Sequence, residues 1–356
     1  MADIELDQAK TEAFADRMLN ILNDGALALM ISMGHRTGLF DVMSNLPPST
    51  TDQIAGTAGL NERYVREWLG AMVTGGFVEY DPSHATYRLP PEHAASLTRS
   101  ATPDNIAAFA QYIPLLGTIE DQVVACFKNG SGVPYSAFGR FHEVMAEDSG
   151  QTVVAALMDS ILPLVPGLID ELKNGIEVLD VGCGAGRALN LMAAAFPKSR
   201  FTGYDISDEA TATGRSAAER KGLTNLKFEI KDVTALGASE QYQLITAFDA
   251  IHDQVKPDKV LQEIAKALHP EGTFLMQDIA ASSQVHNNIG HPVGPLLYTL
   301  SCMHCMTVSL AENGAGLGAM WGEELARKML QEAGFTRIEV EKLPHDFQNA
   351  YYIIKK

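Results

Sequence analysis

The chain has 356 residues, of which 46% are hydrophobic and 20% charged; that length exceeds one compact core and implies two domains or one domain with a large addition. With 44 Asp and Glu against 27 Lys and Arg, a formal net charge of −17 and no local basic patch to offset it, the surface repels phosphate backbones and anionic lipid, so neither nucleic acid nor membrane is an expected partner. Cys126, Cys183, Cys302 and Cys305 sit in apolar surroundings like reduced thiols, the N-terminal residues are acidic and polar, and the longest apolar runs are broken by Asp159, Pro163 and Pro166, which together predict a cytoplasmic protein without a secretory signal or a membrane span.

Residues 1–95 offer several amphipathic helices followed by two β-type runs around a turn, "GFVEYDPSHATYRL", the pattern of a winged helix. Within it, "STTDQIAGTAGLNERYVREWLGAMVT" reads as a helix-turn-helix, with Ser49 or Thr51 able to cap one helix and Asn61 the next. Residues 1–100 carry seven basic and thirteen acidic residues, a net of minus six, and Arg63 and Arg66 are matched by Glu62 and Glu67. A helix so balanced has no surplus charge for DNA phosphates. Its apolar residues Trp68, Leu69, Met72 and Val73 suit a core or a subunit interface instead.

Residues 96–176 continue helical. In "VPYSAFGRFHEVM", Tyr135, Phe138, His142 and Met145 are spaced to line a pocket or to pack a helix, and packing is the default. Beyond residue 176 the pattern changes to short β-type runs alternating with helices, which implies an α/β fold with a mainly parallel sheet covered on both faces. The predicted strands are "EVLDVG", "RFTGYD", "LKFEIKD", "QLITAFD" and "TFLMQD", followed by an insertion over 279–321, a last helix, and the strands "TRIEVEKL" and "NAYYIIKK".

The first of these strands runs into "GCGAGRALNLM", which places Gly182, Gly184 and Gly186 at alternate positions before a helix. Glycines there let backbone press against a ligand, but the third comes one residue early for a dinucleotide fingerprint and no Lys-Ser or Lys-Thr follows as in a P-loop. Asp205 ends the second strand and Asp232 the third, at the carboxyl edge where open α/β sheets bind ligands. A carboxylate after the second strand can accept from both ribose hydroxyls, and one after the third from an exocyclic amine, with Val233 adding apolar contact.

Together "LDVGCGAG", "GYDIS", "KDVT" and the terminal strand pair make residues 177–356 similar to the class I S-adenosylmethionine-dependent methyltransferases. That resemblance implies a Rossmann-like seven-stranded sheet and S-adenosylmethionine as cofactor, with S-adenosylhomocysteine as product. Gly182, Gly184 and Gly186 would line its methionine portion, Asp180 would face its ammonium group, Asp205 with Ile206 would hold the ribose, and Asp232 with Val233 the adenine. Ala247 and Phe248, at the end of the fourth strand, would complete the cofactor site. The front of the chain, from "GHRTGLFDVMSN" to "YRLPPEHAASL", resembles the winged-helix dimerisation domain of two-domain small-molecule O-methyltransferases, which implies a homodimer. Domain limits of 1–95, 96–176 and 177–356 follow, the middle segment and the insertion roofing a substrate site.

In that family a histidine after the fourth strand deprotonates the acceptor hydroxyl, and His252 stands at the matching place. Imidazole titrates near neutrality and suits the task, although a histidine here can also simply pack; Asp253 and Asp278 are the carboxylates available to orient it. Phe248, Asp249 and Gln254 depart from the family's usual Lys, Trp and Trp. Among acceptor-site candidates are Tyr135, Phe138, His142, His286, Met303 and Trp321. The run "SCMHCMTVSL" offers Cys302, His304 and Cys305 as soft ligands, but without a second cysteine pair a metal is not expected. A methyltransferase acting on a small apolar or aromatic acceptor, with oxygen preferred, is the expectation; an S-adenosylmethionine-sensing transcription regulator is the alternative.

Overall fold

The computed structural model describes residues 6–356, which divide into two compact units, one ending at Leu115 and the other beginning at Leu116. The division falls inside the stretch expected to be a helical linker.

In the first unit, α1 (Gln8–Thr37) starts where the Asp7 carboxylate accepts from the Lys10 amide and stops at Gly38, whose φ of 75° only glycine adopts freely. α2 (Leu39–Ser44) and α3 (Thr51–Ala58) follow. The cap of α3 is Thr50, not either of its neighbours: its hydroxyl accepts from the Gln53 amide while the Gln53 side chain accepts from the Thr50 amide, closing a capping box. Asn61 caps α4 (Glu62–Thr74) as expected. The wing is the antiparallel pair β1 (Glu79–Asp81) and β2 (Thr86–Arg88), with Ser49 bridged to Tyr87 on the other side. Trp68, Leu69 and Met72 turn inward from α4 to pack with Phe40 and Ile54, and the indole N–H of Trp68 donates to the Met30 carbonyl at 2.9 Å.

In the second unit the described residues form a seven-stranded sheet of order β5-β4-β3-β6-β7-β9-β8. β3 (Glu177–Val181), β4 (Arg200–Asp205), β5 (Leu226–Ile230), β6 (Tyr242–Phe248) and β7 (Leu268–Ile279) run parallel, and β9 (Asn349–Lys355) joins β7 antiparallel with β8 (Arg337–Glu341) outside it. The strand order reverses between β3 and β6, so a crevice opens beyond their carboxyl ends. Four helices cover the sheet: α5 (Arg187–Ala195), α6 (Asp208–Arg220), α7 (Pro257–Ala267) and α8 (Gly322–Glu332). Residues buried on both faces, among them Leu179, Ile245 and Phe274 on one and Val178, Leu244 and Leu275 on the other, account for the near-continuous apolar runs of the parallel strands. β7 begins earlier than its apolar run suggests, because the chain leaves α7 at Leu268 and pairs at once with Tyr242, the ladder slipping register before Leu244.

Candidate active site

The turn after β3 is built by glycine. Gly182 has a φ of 69°, and a Cβ there would lie 2.6 Å from that of Ala250; Gly186, at 61°, would drive a Cβ into the Phe228 ring. A side chain on Gly184 would meet nothing within 4 Å, so its place faces open space. The amide of Gly184 donates to Asp205 Oδ2 at 2.8 Å, and Ser207 donates to Oδ1 at 2.9 Å, which ties the end of β4 to the loop. A narrow cleft beside it is lined by Gly182, Asp205, Ile206, Lys231, Val233 and Gln254. Lys231 and Gln254 are members that the motif reading missed: Lys231 has its charge turned to the Leu236 carbonyl and over the Tyr204 ring, and Gln254 was noted only as a departure.

Asp180, in the middle of the sheet, is buried and accepts from Thr246 Oγ1 at 2.7 Å. Burial pushes its carboxyl up to about 7, with Asp205 adding to the shift. Asp232 is more exposed and caps the next turn, its Oδ1 accepting from the amide and hydroxyl of Thr234 at 2.9 and 2.7 Å, which holds it below the usual carboxylate range. Ala247 is fully buried within β6, and Phe248 lies half-buried at its end. The donor set fits S-adenosylmethionine: an open glycine turn, a buried carboxylate lacking a cation, and two acids at successive strand ends suit a ligand bearing an ammonium group, ribose hydroxyls and an amine.

Just past β6 the chain turns through Asp249, a non-glycine residue with φ of 51°, and delivers His252 to the crevice. His252 is buried, with Nδ1 2.8 Å from Asp278 Oδ1. The same oxygen accepts from the Trp321 indole N–H at 3.0 Å and the Ile279 amide at 2.8 Å, while Oδ2 has no partner. Burial alone would lower the imidazole, but the Asp278 charge outweighs it and Cys305 adds to the same side, so His252 stays protonated well above its ordinary range. With Nδ1 engaged by Asp278, Nε2 is the ring nitrogen left for other chemistry, and the Cys305 thiol lies near enough to influence the ring. Burial raises the thiol of Cys305 and the carboxyls of Asp249 and Asp253. Asp278 is therefore the carboxylate that orients His252; Asp253 lies near enough to feel its charge. Atoms of Asp249, His252 and Asp278 lie within 4.8 Å of one another.

The insertion supplies the wall beside this histidine. Its helix spans Gly294–Leu300 and Met306–Ala311 with a π turn, Ser301–Cys305, between them. Wide turns of this kind recur at functional sites, and this one buries His304 and Cys305 at consecutive positions while Met303 stays half-buried. The His304 ring stacks on Phe141, centroids 3.5 Å apart and planes 7° from parallel, and meets Tyr135 and Phe138 edge-on at 5.4 and 4.7 Å. His142 lies 5.1 Å from the Tyr135 ring. Neither nitrogen of His304 has a hydrogen-bond partner, and burial, with His252 and His142 nearby, holds it neutral. Trp321, expected against substrate, spends its N–H on Asp278, and His286 is exposed in a short 3-10 turn.

Residues 25–99 match the Rv2258c-like winged HTH domain family and residues 172–334 a methyltransferase domain family. The ubiquinone biosynthesis O-methyltransferase of Actinobacillus pleuropneumoniae serotype 5b (strain L20) is 30% identical over 126 residues, 33% of this chain and 53% of that protein. The first curated relatives are spanned over only 10% to 53% of their own length. Human N-acetylserotonin methyltransferase in complex with S-adenosylmethionine shares the fold at a TM-score of 0.68 and 17% identity, covering 100% of this chain and 99% of that one. The mitomycin 7-O-methyltransferase does so at 0.70 and 16%, covering 98% and 100%. The chain thus joins a winged HTH domain to a methyltransferase domain and shares its fold with these methyltransferases of known structure.

Proposed function

We propose that the protein methylates the hydroxyl oxygen of a small-molecule acceptor, with His252 as the general base. The observation that carries this reading is the His252–Asp278 bond: an oriented imidazole with one nitrogen reserved for a proton, beside the cofactor edge of the sheet. When bound, S-adenosylmethionine supplies an electrophilic methyl group. Asp180, Asp205 and Asp232, with the glycine turn and Val233, would hold it. Asp278 fixes the tautomer and angle of His252, the Trp321 N–H holds Asp278, and His252 takes the proton released as the acceptor oxygen attacks. The test is methyl transfer to a panel of phenols, thiols and amines: His252→Gln is expected to lower turnover by about 10²–10⁴-fold, and an unchanged turnover number at optimal pH refutes the base.

The exposed apolar stripe of α1, Phe14, Met18, Leu22, Leu29 and Met33, recurs at helical spacing and supports a homodimer through the first unit. A DNA-binding sensor has no comparable support, since Arg63 and Arg66 on α4 are paired with Glu67 and Glu62. No helix among the described residues is long and apolar enough to cross a membrane, which is compatible with work in the cytoplasm.

A further inference from the structure

From the cluster of Asp249, His252 and Asp278, we infer a binding site for a divalent first-row transition-metal ion of the zinc type, whose occupation switches His252 off as a base. The metal site stands on its own geometry; the switch rests on the methyltransferase reading.

Three observations converge. Ligand atoms of the three residues all lie within 4.8 Å of one another, and since zinc bonds of about 2.1 Å hold ligand atoms up to roughly 4 Å apart, modest side-chain rotations close the cluster around an ion. Two oxygens in it are spare: Oδ1 of Asp249 and Oδ2 of Asp278 are shielded from solvent with no hydrogen-bond partner, and Asp278 is fully buried, whereas buried polar atoms are nearly always paired. Among the described residues the one ion pair of either carboxylate is that of Asp278 with His252. Beside Asp249, Gln277 accepts its amide at 3.0 Å and is buried with neither side-chain amide atom bonded, which leaves a donor and an acceptor for a metal-bound water. Asp249 departs from the tryptophan usual at this place in the two-domain O-methyltransferases, so the resemblance does not imply the cluster.

The donor set selects the ion. One imidazole and two carboxylates suit zinc, cobalt or manganese, whereas magnesium and calcium take oxygen ligands and more of them. His252 Nδ1 already faces Asp278 at 2.8 Å, and it is the nitrogen the ion takes. Starting from the imidazolium, the ion displaces the Nδ1 proton to solvent and leaves a neutral ring whose one proton sits on Nε2. A ring in that state donates a proton but has no lone pair to accept one from an acceptor hydroxyl.

The test uses the full chain freed of metal by dialysis against a chelator. Co²⁺ is the probe, read by its visible absorption, and Zn²⁺ is expected to displace it because it binds such sites more tightly. Asp249→Asn should weaken Co²⁺ by at least about 100-fold, since loss of a mere outer partner already costs 10–100-fold. Asn tolerates the φ of 51° at this position, and Asp249→Gly is the second variant should Asn disturb the fold. Turnover of whichever phenol the wild type methylates should fall in step with Zn²⁺ occupancy. No uptake of Co²⁺, equal affinity in both variants, or an intense near-ultraviolet thiolate band that puts the ion on Cys302 and Cys305 overturns the site. Full turnover at full occupancy overturns the switch. Failure to bind S-adenosylhomocysteine, measured separately, overturns the methyltransferase reading and the switch with it, and the Co²⁺ titration then decides the site alone.

Discussion

A single carboxylate oxygen, Asp278 Oδ1, gathers three donors from three parts of the second unit: the His252 ring, the Trp321 indole and its own neighbour's amide. Asp278, Asp249, Asp253, Cys305 and His304 are the titratable groups facing His252. Because the imidazole is raised above 6.5, its pairing with Asp278 stabilises the fold fully below that value and ceases to as pH rises through the raised one. Catalysis runs the opposite way, since only neutral imidazole accepts a proton. Turnover should therefore climb with pH to an acidic limb above 6.5 in a kcat profile, and Asp278→Asn should move that limb to lower pH while cutting kcat; an unmoved limb would separate His252 from the rate. Asp180 gives an independent signal. With its carboxyl raised to about 7, folding favours the protonated form, and stability declines as pH rises from 3.8 toward 7. A cationic ligand needs the ionised form, so S-adenosylmethionine affinity measured by calorimetry should fall about tenfold for each pH unit below 7 and level off above it. The positions of Asp205 and Asp232 at successive strand ends were legible because each stands in a local motif. The choice between Asp253 and Asp278 was not, because the decisive bond joins residues 26 apart, and nothing in "SCMHC" reveals that His304 will lack a partner.

At the scale of elements, the glycine turn combines backbone freedom with close approach. Gly182→Ala places a methyl at positive φ and 2.6 Å from Ala250 Cβ, for an expected loss of about 1–3 kcal/mol in denaturant unfolding and of cofactor binding with it. Short apolar runs made the five parallel strands recognisable in advance, since strands buried on both faces read as near-continuous apolar segments. Their ends were less so: β7 starts at Leu268 because tertiary pairing with Tyr242 overrides the polar "HPEG" stretch. The helix interrupted by the π turn could not be foreseen either, because the extra residue of a wide turn carries no residue-type signature of its own. It is braced from outside, where a Cβ on Gly132 would strike the Thr307 carbonyl and the Ala311 amide, and the Val133 amide donates to Thr307 Oγ1 at 2.9 Å.

For the whole molecule, the open question is what covers α1. Phe14, Leu19 and Leu22 are each more than 60% exposed on the chain alone, an unusual density of apolar surface on one helix. Light scattering should return twice the mass of 38.5 kDa, and Phe14→Glu combined with Leu22→Glu should return the single mass with the second unit still folded. A wild-type monomer would refute the dimer. The two-part organisation was visible in the change from helical to alternating patterning near residue 176, yet the compact units part at Leu115, because the helices between belong by packing to the second unit.

The Trp321–Asp278 bond closes a circuit of 43 residues upon its own starting point. The return is clamped again by Glu324, whose carboxylate accepts from the hydroxyl of Ser282 and the amide of Ser283. Entrance and exit of this excursion are thereby stitched to one address on the sheet, while Cys305 between them reaches back to His252. A change between the two stitches therefore acts on a segment whose ends stay fixed, and it is felt at His252 through Cys305.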